Sequence, residues 1–505
     1  MSSDPGQEIF VRDTNLPHVQ SATVRGSFAI LVSQISRLVI QFGTQLILAR
    51  LLFPSDFGLL AMISPILSFV AIINDVGFSQ ILIQKRSIFQ LQVSNLFWIN
   101  LALGSTFGVT LAACAPLVAY VFGEPKVLSL TVVMALMIPL GMLSLHPNAL
   151  LARQLRFATV ARIEVAAAAA GSAVTLVCAS AGFSYWSLAI GQLAATTVTV
   201  VMSWSFCGWK PSWPTRSLSV RAEFAFGRNV TATNLSVFAT TMADKLLIGI
   251  VQGPVQLGLY DRSYRLLIQP LSQLMLPLNR VAVPLLSRVL HDPVTFRQTY
   301  LFMVQLLAVA TMPVLAVCIA DGTIVVRFLL GSRWEPAAPM FAWFCVGGLT
   351  SGVYSSAAWL FIARDRTGPM VKYWTSSALI GLASYAVGIF WGAVGVTMVA
   401  AVSFVAIQTP LVLYGALRDS PIGSADVVNV LVPPALAAAV TFAVIRFTPQ
   451  IWSASDLLTL VGWTTASYGL LLILLLATKS GRGFLSRCLK TAKMLKLQHP
   501  GVAVV

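Results

Sequence analysis

Residues Ile47 to Leu60 read ILARLLFPSDFGLL, and residues Leu247 to Tyr260 read LIGIVQGPVQLGLY. In both stretches an apolar run ends at a turn that contains proline, and a glycine–leucine pair follows one helical turn later. Pro54 and Gly58 of the first stretch therefore correspond to Pro254 and Gly258 of the second. The shared pattern indicates an internal repeat, with proline at the start of a helix in each copy.

The composition around these stretches is that of a membrane protein. The chain has 505 residues, of which 57% are hydrophobic and 10% are charged, and its mean hydropathy is +0.83. Soluble domains carry about 25% charged residues, and a spanning helix needs about 20 apolar residues. Apolar runs of that length follow one another along the chain, without the short alternating segments of an outer-membrane barrel. The sequence therefore predicts an all-α polytopic membrane protein.

Breaks at proline, glycine and charged residues predict about fourteen transmembrane helices. We expect them at 24–52, 56–83, 92–122, 128–150, 158–182, 185–206, 223–252, 257–279, 299–330, 336–363, 369–390, 392–417, 426–447 and 457–478.

Six predicted helices separate the two repeated turns, so both copies cross the membrane in the same direction. The repeat is then parallel, about an axis along the membrane normal. It predicts two pseudo-symmetric six-helix bundles and two C-terminal helices. The predicted domains are a tail at 1–23, a first bundle at 24–206, a linker at 207–222, a second bundle at 223–417, two additional helices at 418–478 and a basic tail at 479–505.

The distribution of Lys and Arg predicts the orientation. The formal net charge is +16, from 33 Lys+Arg against 17 Asp+Glu. Most basic residues fall on one side of the predicted membrane, which is typical of cytoplasmic loops. We therefore expect both termini in the cytoplasm, and no nucleic-acid partner. The basic residues of the tail suit anionic lipids. They are Lys479, Arg482, Arg487, Lys490, Lys493 and Lys496.

The sequence offers no recognisable catalytic or metal-binding motif. The six cysteines are scattered singly, the four histidines are isolated, and no phosphate-binding loop is recognisable. All predicted loops are short, whereas enzymes that act on lipid-linked sugars usually carry sizeable loops. We expect no enzyme activity, no catalytic residues, no cofactor and no metal.

Charged residues inside the predicted helices are the candidate functional residues, because such residues are costly in a bilayer and face a bundle interior or a wet cavity. Arg37 lies deep in the first predicted helix. It either forms an internal ion pair with Asp75 or Glu164, or lines a cationic cavity that meets an anionic substrate.

Two further groups of charges lie in the second repeat. Asp244 and Lys245 are adjacent and therefore point in different directions around their helix. Asp261 and Arg265 can pair at a spacing of one helical turn, beside a neighbouring face of Tyr260 and Tyr264. We predict that Arg37, Lys245, Arg262 and Arg265 form the cationic cavity, unless the last two only snorkel to the membrane interface.

Three carboxylates are candidates for carrying a coupling cation. Desolvation raises the pKa of a carboxyl group, and entry of a cation can then be linked to a change of conformation. We predict that Asp75, Glu164 or Asp244 binds H⁺ or Na⁺. Structural pairing remains the alternative at each position.

Two runs of the chain resemble a known family. They are LILARLLFPSDFGLLAMISPILSFVAIINDVGFSQILIQ, Leu46 to Gln84, and ADKLLIGIVQGPVQLGLYDRSYRLLIQPLSQLMLPLNRVAVPLLSRV, Ala243 to Val289. Both resemble the polysaccharide-transport flippases of the MOP superfamily, which export lipopolysaccharide and exopolysaccharide units. The resemblance implies alternating access between two bundles and an undecaprenyl-pyrophosphate-linked oligosaccharide as substrate. It also implies a location in the inner membrane of a bacterial cell.

Two other functions stay open at this stage. A drug/cation antiporter related to the MATE transporters would have a cavity lined by acids rather than arginine. A membrane enzyme of envelope polysaccharide synthesis, such as a ligase or polymerase, would need a large periplasmic loop. The expected partners of a flippase are the lipid-linked oligosaccharide, membrane lipids, H⁺ or Na⁺, and a polymerase or export complex.

Overall fold

The computed structural model describes residues 16–75, 82, 88–213, 242–448 and 456–498, with side chains at 30–70, 82, 88–213, 242–448, 456–478 and 481–490. This part of the chain is almost entirely helical, which confirms the predicted all-α class. The α-helices are α1 Leu16–Leu51, α2 Pro54–Asp75, α3 Gln90–Ala113, α4 Ala115–Phe122, α5 Lys126–Arg153, α6 Phe157–Ser180, α7 Tyr185–Cys207, α8 Ala243–Arg288, α9 Pro293–Ala320, α10 Gly322–Leu330, α11 Ala338–Ala363, α12 Thr367–Gly388, α13 Gly392–Ser403, α14 Thr409–Leu417, α15 Ser424–Phe447, α16 Asp456–Ala477 and α17 Lys479–Gln498.

The protein crosses a membrane several times. Ten segments of the described chain are long and apolar enough to span a bilayer. One of them, Thr367–Leu417, contains α12, α13 and α14 and turns at Gly392, which has φ 75°. Most of the predicted helix 223–252 falls at 214–241, outside the described residues, so the count of about fourteen stays a prediction.

Several predicted boundaries differ from the structure. The predicted helix 92–122 is divided into α3 and α4 at Cys114, because Pro116 cannot donate a backbone hydrogen bond. The predicted helix 299–330 is divided at Asp321, whose carboxylate accepts the backbone N–H of Ile324 (3.3 Å) and caps α10. The predicted helix 257–279 extends to Arg288 as part of α8.

The chain divides into two compact units, Met1–Gly258 and Leu259–Val505. In the first unit, α1 packs on α6, α6 on α7, and α5 on both α3 and α7. In the second, α9 packs on α11 and α15, and α12 packs on α13. The domain limits drawn from the sequence, including the linker 207–222, stay predictions.

The repeated turns meet within the first unit. Pro54 begins α2, and Pro254 follows a break in α8 at Gly253, where φ is 76° and ψ is −175°. A Cβ at Gly58 would clash with the Pro254 carbonyl, and a Cβ at Gly258 would clash with the Pro54 carbonyl. The two copies therefore pack reciprocally, backbone against backbone, which only glycine permits.

A polar contact secures the first copy of the turn. The buried Asp56 carboxylate accepts the backbone N–H of Phe53 (2.9 Å) and also the Ser184 hydroxyl at the start of α7. The acid therefore supplies one of the hydrogen bonds that the first turn of α2 lacks and ties that turn to α7. The second copy has Gln256 at the corresponding position.

The two units share a second structural motif, in the turns α5–α6 and α11–α12. Leu155 and Asp365 have φ of 58° and 52°, and the next residue in each turn is an arginine. Arg156 donates through Nη1 to the carbonyl of Phe206 (2.9 Å), and Arg366 donates to the carbonyl of Arg418 (2.5 Å). Each arginine thus binds a carbonyl at or just beyond the end of a helix, where carbonyls lack helical partners.

The last helices pack on α9. The Tyr468 hydroxyl donates to the Ala310 carbonyl (2.8 Å), and Thr441 on α15 bonds Ser467 on α16 (2.9 Å). The predicted basic tail is helical at its start, because Phe484 of α17 is buried against Leu471 and Leu475. Leu485 and Cys488 of the same helix pack against these residues as well. Only the basic residues of this segment were considered in the sequence, and the helix was not predicted.

Adding a methyl group at Gly58 or Gly258 should disrupt the reciprocal contact. We expect Gly58→Ala and Gly258→Ala each to lower the free energy of unfolding by roughly 1–3 kcal/mol, the cost of overpacking against atoms that cannot move aside. Thermal unfolding of the purified protein in lipid nanodiscs measures this.

The matched control is Gly141→Ala, since a Cβ at Gly141 would meet nothing within 4 Å. That variant should unfold at or slightly above the wild-type temperature, because alanine favours helix over glycine by roughly 0.5–1 kcal/mol. Equal stability of all three variants would show that the glycine contact is dispensable.

Candidate functional site

Arg37 pairs with Glu164 inside the first unit. Arg37 Nη1 lies 3.3 Å from Glu164 Oε2, which joins α1 to α6, and the two side chains are 34% and 41% exposed. The internal pair is thus one of the two arrangements expected for Arg37. Its Nε is buried and has no hydrogen-bond partner among the described residues. The role of Arg37 in a cationic cavity stays a prediction.

The other predicted residues of this unit are placed as follows. Asp244 and Lys245 are both buried in the first turn of α8. The Lys245 backbone N–H donates to Asp244 Oδ1 (2.8 Å), and a carboxylate suits the positive end of a helix dipole. Asp75 is the last residue of α2, and its side chain lies outside the described residues. The coupling roles of Asp75, Glu164 and Asp244 remain predictions, as does the substrate role of Lys245.

The second unit brings Asp261, Arg262 and Arg265 together, and we call these three residues the arginine cluster. Asp261 is 2% exposed and accepts hydrogen bonds from Arg265 Nε (2.7 Å) and Arg262 Nη2 (3.2 Å). The pairing at one helical turn is the one expected from the sequence. Two guanidinium groups thus share this carboxylate. Arg262 is 11% exposed and Arg265 38% exposed, so Arg265 is the more accessible cation.

Aromatic side chains lie beside the arginine cluster. The rings of Tyr260 and Tyr264 both contact Phe344 of α11, with centroids 5.1 and 5.5 Å apart. Their edge-to-face geometry is favourable for aromatic pairs. Tyr264 is therefore held in place by packing, one residue before Arg265.

Tyr264 also lines a cavity of about 250 Å³ inside the second unit. Residues of α8, α11, α12 and α13 surround it, together with the segment Phe404–Gln408. The segment Phe404–Gln408 is a π-helix, a local distortion that is frequent at functional sites. We call this space the aromatic cavity, because its wall includes Tyr264, Trp343, Phe344, Tyr385 and Phe404.

A hydrogen-bond network supports one side of the aromatic cavity. Gln408 Oε1 accepts from the Ser377 hydroxyl (3.0 Å), and Gln408 Nε2 donates to the Ser403 hydroxyl (2.9 Å). Ser377 in turn bonds the Tyr354 hydroxyl (3.1 Å). The Gln408 amide is therefore oriented before any ligand arrives, which reduces the cost of binding.

The lining of the aromatic cavity is mostly apolar, with a few polar side chains. The described lining of the cavity contains no His, Cys, Asp, Glu, Lys or Arg. Within the described ranges, no group of three or more His, Cys, Asp or Glu could hold a metal ion. An apolar pocket with a few placed polar groups is the usual form of a small-molecule site.

Sequence reasoning missed the aromatic cavity and Gln408. The candidate residues in the sequence were the charged ones, whereas the lining of the cavity is uncharged. A glutamine in the apolar run 392–417 was the available signal. One of the serines that orient it, Ser403, lies in the same run, but the other, Ser377, lies on α12.

Comparison with known proteins gives this fold and site a family. Residues 47–339 match the family described as polysaccharide biosynthesis protein. The chain is 24% identical over 362 residues to the lipopolysaccharide biosynthesis protein WzxC of Escherichia coli (strain K12), which covers 70% of this chain and 72% of that protein. It is 23% identical over 492 residues to the succinoglycan biosynthesis transport protein ExoT of Rhizobium meliloti (strain 1021), which covers 95% and 98%.

A solved structure has the same fold. The lipid II flippase MurJ in an inward closed conformation superposes with a TM-score of 0.68 at 13% sequence identity, over 89% of this chain and 98% of that one. The family match covers more than half of the sequence, and the fold is that of a membrane transporter. The chain belongs to the polysaccharide biosynthesis protein family.

Proposed function

We propose that this protein is a flippase that moves an undecaprenyl-pyrophosphate-linked oligosaccharide from the inner to the outer leaflet of a bacterial inner membrane. The substrate head group crosses through a polar interior by alternating access, while the polyprenyl chain stays in lipid. No bond is made or broken, so the protein is not an enzyme. The transport function of the relative ExoT and the flippase fold of MurJ support the proposal.

The arginine cluster is the observation that carries the proposal. A pyrophosphate presents several oxygens, and a guanidinium group binds such oxygens in a fixed fork. Asp261 holds both guanidinium groups by hydrogen bonds, and the Arg265 side chain is still 38% exposed. A cationic group beside an aromatic cavity favours an anionic glycolipid over the cationic drugs that a MATE-like antiporter would carry.

The remaining assignments belong to the same proposal. Both termini face the cytoplasm, as the distribution of Lys and Arg indicates. Transport is coupled to entry of H⁺ or Na⁺ at Asp75, Glu164 or Asp244. Each of these residues places a carboxylate in a predicted membrane helix, where an acid can carry the coupling cation. A polymerase or export complex receives the translocated oligosaccharide.

Replacing Arg265 should impair transport. In a strain that lacks the chromosomal copy, we expect Arg265→Gln to reduce translocation about 10- to 100-fold, the equivalent of losing one charge-assisted hydrogen bond worth roughly 1.5–3 kcal/mol. The measurement is the fraction of lipid-linked oligosaccharide in the cytoplasmic leaflet, with protein abundance determined in parallel.

Arg280→Gln is the matched control, because Arg280 lies on the same helix and is exposed. It should translocate normally. Arg265→Lys keeps the charge but not the planar fork, and we expect an intermediate defect. Normal export by Arg265→Gln at wild-type abundance would rule out the arginine cluster as the phosphate site.

The Arg37–Glu164 pair provides a separate test of the cationic cavity. Removal of the cation in Arg37→Ala should abolish export. Glu164→Gln leaves the cation in place and should retain export when the coupling carboxylate is Asp75 or Asp244. Partly exposed ion pairs contribute only about 0–1 kcal/mol to stability, so both variants should reach wild-type abundance on immunoblots.

Two results would count against this role of Arg37. Normal export by Arg37→Ala would remove Arg37 from the transport path. An equal loss in Arg37→Ala and Glu164→Gln, with normal cation coupling in Glu164→Gln, would show that transport needs the ion pair and not the free cation.

A further inference from the structure

We propose that the aromatic cavity of the second unit binds one neutral sugar ring of the transported oligosaccharide. The inference rests on the proposed function, because it takes the oligosaccharide as the substrate. It specifies which part of the substrate the cavity recognises, a sugar ring, and the chemical class of that ring, a neutral sugar.

The aromatic wall suits the apolar face of a sugar. A pyranose ring presents C–H groups on its faces and hydroxyl groups around its edge. Tyr264 and Phe344 are held edge to face at 5.5 Å, and Trp343 and Phe404 belong to the same wall. These rings have few rotatable bonds, so contact with a ligand costs them little conformational entropy. A flat ligand with apolar faces therefore fits this wall.

The polar side chains of the cavity suit the hydroxyl edge of the ring. A primary amide has two donors and two acceptor lone pairs, and Gln408 uses one of each on Ser403 and Ser377. One donor and one acceptor remain. The hydroxyls of Ser351 and Thr397 donate to backbone carbonyls of their own helices, at 2.7 Å in both cases, so their oxygens can still accept. The cavity thus offers both kinds of partner to sugar hydroxyls.

The lining also discriminates by charge. It contains no charged side chain among the described residues. A uronic acid placed here would lose the hydration of its carboxylate without gaining a cation, which is strongly unfavourable. The cavity therefore selects a neutral hexose or N-acetylhexosamine, and the pyrophosphate belongs with the arginine cluster.

Two glycines give the ring its space and provide the means of testing the proposal. Gly347 and Gly381 line the cavity. A Cβ at Gly381 would lie 3.7 Å from Gln408 Oε1, and a Cβ at Gly347 would lie 3.9 Å from Ala401. The protein can accommodate alanine at both positions, while the added methyl groups occupy space that a ligand needs.

The test is saturation-transfer-difference NMR on the full-length protein in nanodiscs. The probes are methyl glucoside, methyl N-acetylglucosaminide and methyl glucuronide at equal concentration. We expect the wild type to transfer saturation to ring C–H protons of at least one neutral glycoside, and at least fivefold less to the glucuronide. The double variant Gly347→Ala/Gly381→Ala should lose at least nine-tenths of the signal, about the tenfold change that corresponds to 1.4 kcal/mol.

Two further variants complete the design. Gln408→Leu removes the polar contacts and should also lose the signal, with thermal unfolding confirming that it is folded. Gly469→Ala is the control, because a Cβ at Gly469 would meet nothing within 4 Å and the residue does not line the cavity. It should retain the wild-type signal.

Several outcomes would overturn the proposal. They are no transfer to any glycoside by the wild type, equal transfer by the wild type and the double variant, and preferential transfer to the glucuronide. Loss of the glycoside signal on addition of a short polyprenyl phosphate, with no loss on addition of a second sugar, would mean that the cavity holds the lipid chain instead. Translocation of the complete lipid-linked substrate is assayed separately, so a protein that binds sugar but does not flip would contradict only the proposed function.

Discussion

The reciprocal contact between the two repeated turns is the constraint from which the first unit is built. Gly58 lies against the Pro254 carbonyl, and Gly258 lies against the Pro54 carbonyl. Side chains in a membrane gain little from leaving lipid, so close backbone packing of small residues becomes a principal source of helix association. The same turns determine where α2 begins and where α8 is broken, because proline starts one helix and follows Gly253 in the other.

The low dielectric of the membrane also explains why the charges are grouped. Asp261 binds both Arg262 and Arg265, and Arg37 binds Glu164. An unpaired charge at such a position would be costly, yet a fully neutralised one could not recruit a phosphate. The arginine cluster reconciles the two demands by placing two guanidinium groups on one carboxylate. Its neighbour, the aromatic cavity, carries no charge, so the second unit separates a surface for anions from a surface for neutral rings.

Local patterns predicted those features whose partners are close in sequence. Asp261 and Arg265 are one helical turn apart, so a helix must bring them together. The ten spans follow from the length and hydropathy of the apolar runs. Features that depend on distant segments were left as alternatives or missed. Arg37 had two candidate partners, and only the packing of α1 on α6 selected Glu164. The helix α17 was hidden by its basic residues, because its docking through Phe484 requires α16.

The sequence by itself determined the class of the protein, its membrane character, its repeat and the position of its charged residues. These depend on composition and on contacts within a few residues, where helix geometry leaves few choices. Only the tertiary structure decided that Gly58 and Gly258 face each other's prolines and that four helices and the π-helix segment line the aromatic cavity. It also oriented Gln408, through Ser403 of the same segment and Ser377 of α12. The physical reason is that uncharged polar and aromatic residues are common in apolar helices, and three-dimensional packing alone determines which of them share a cavity.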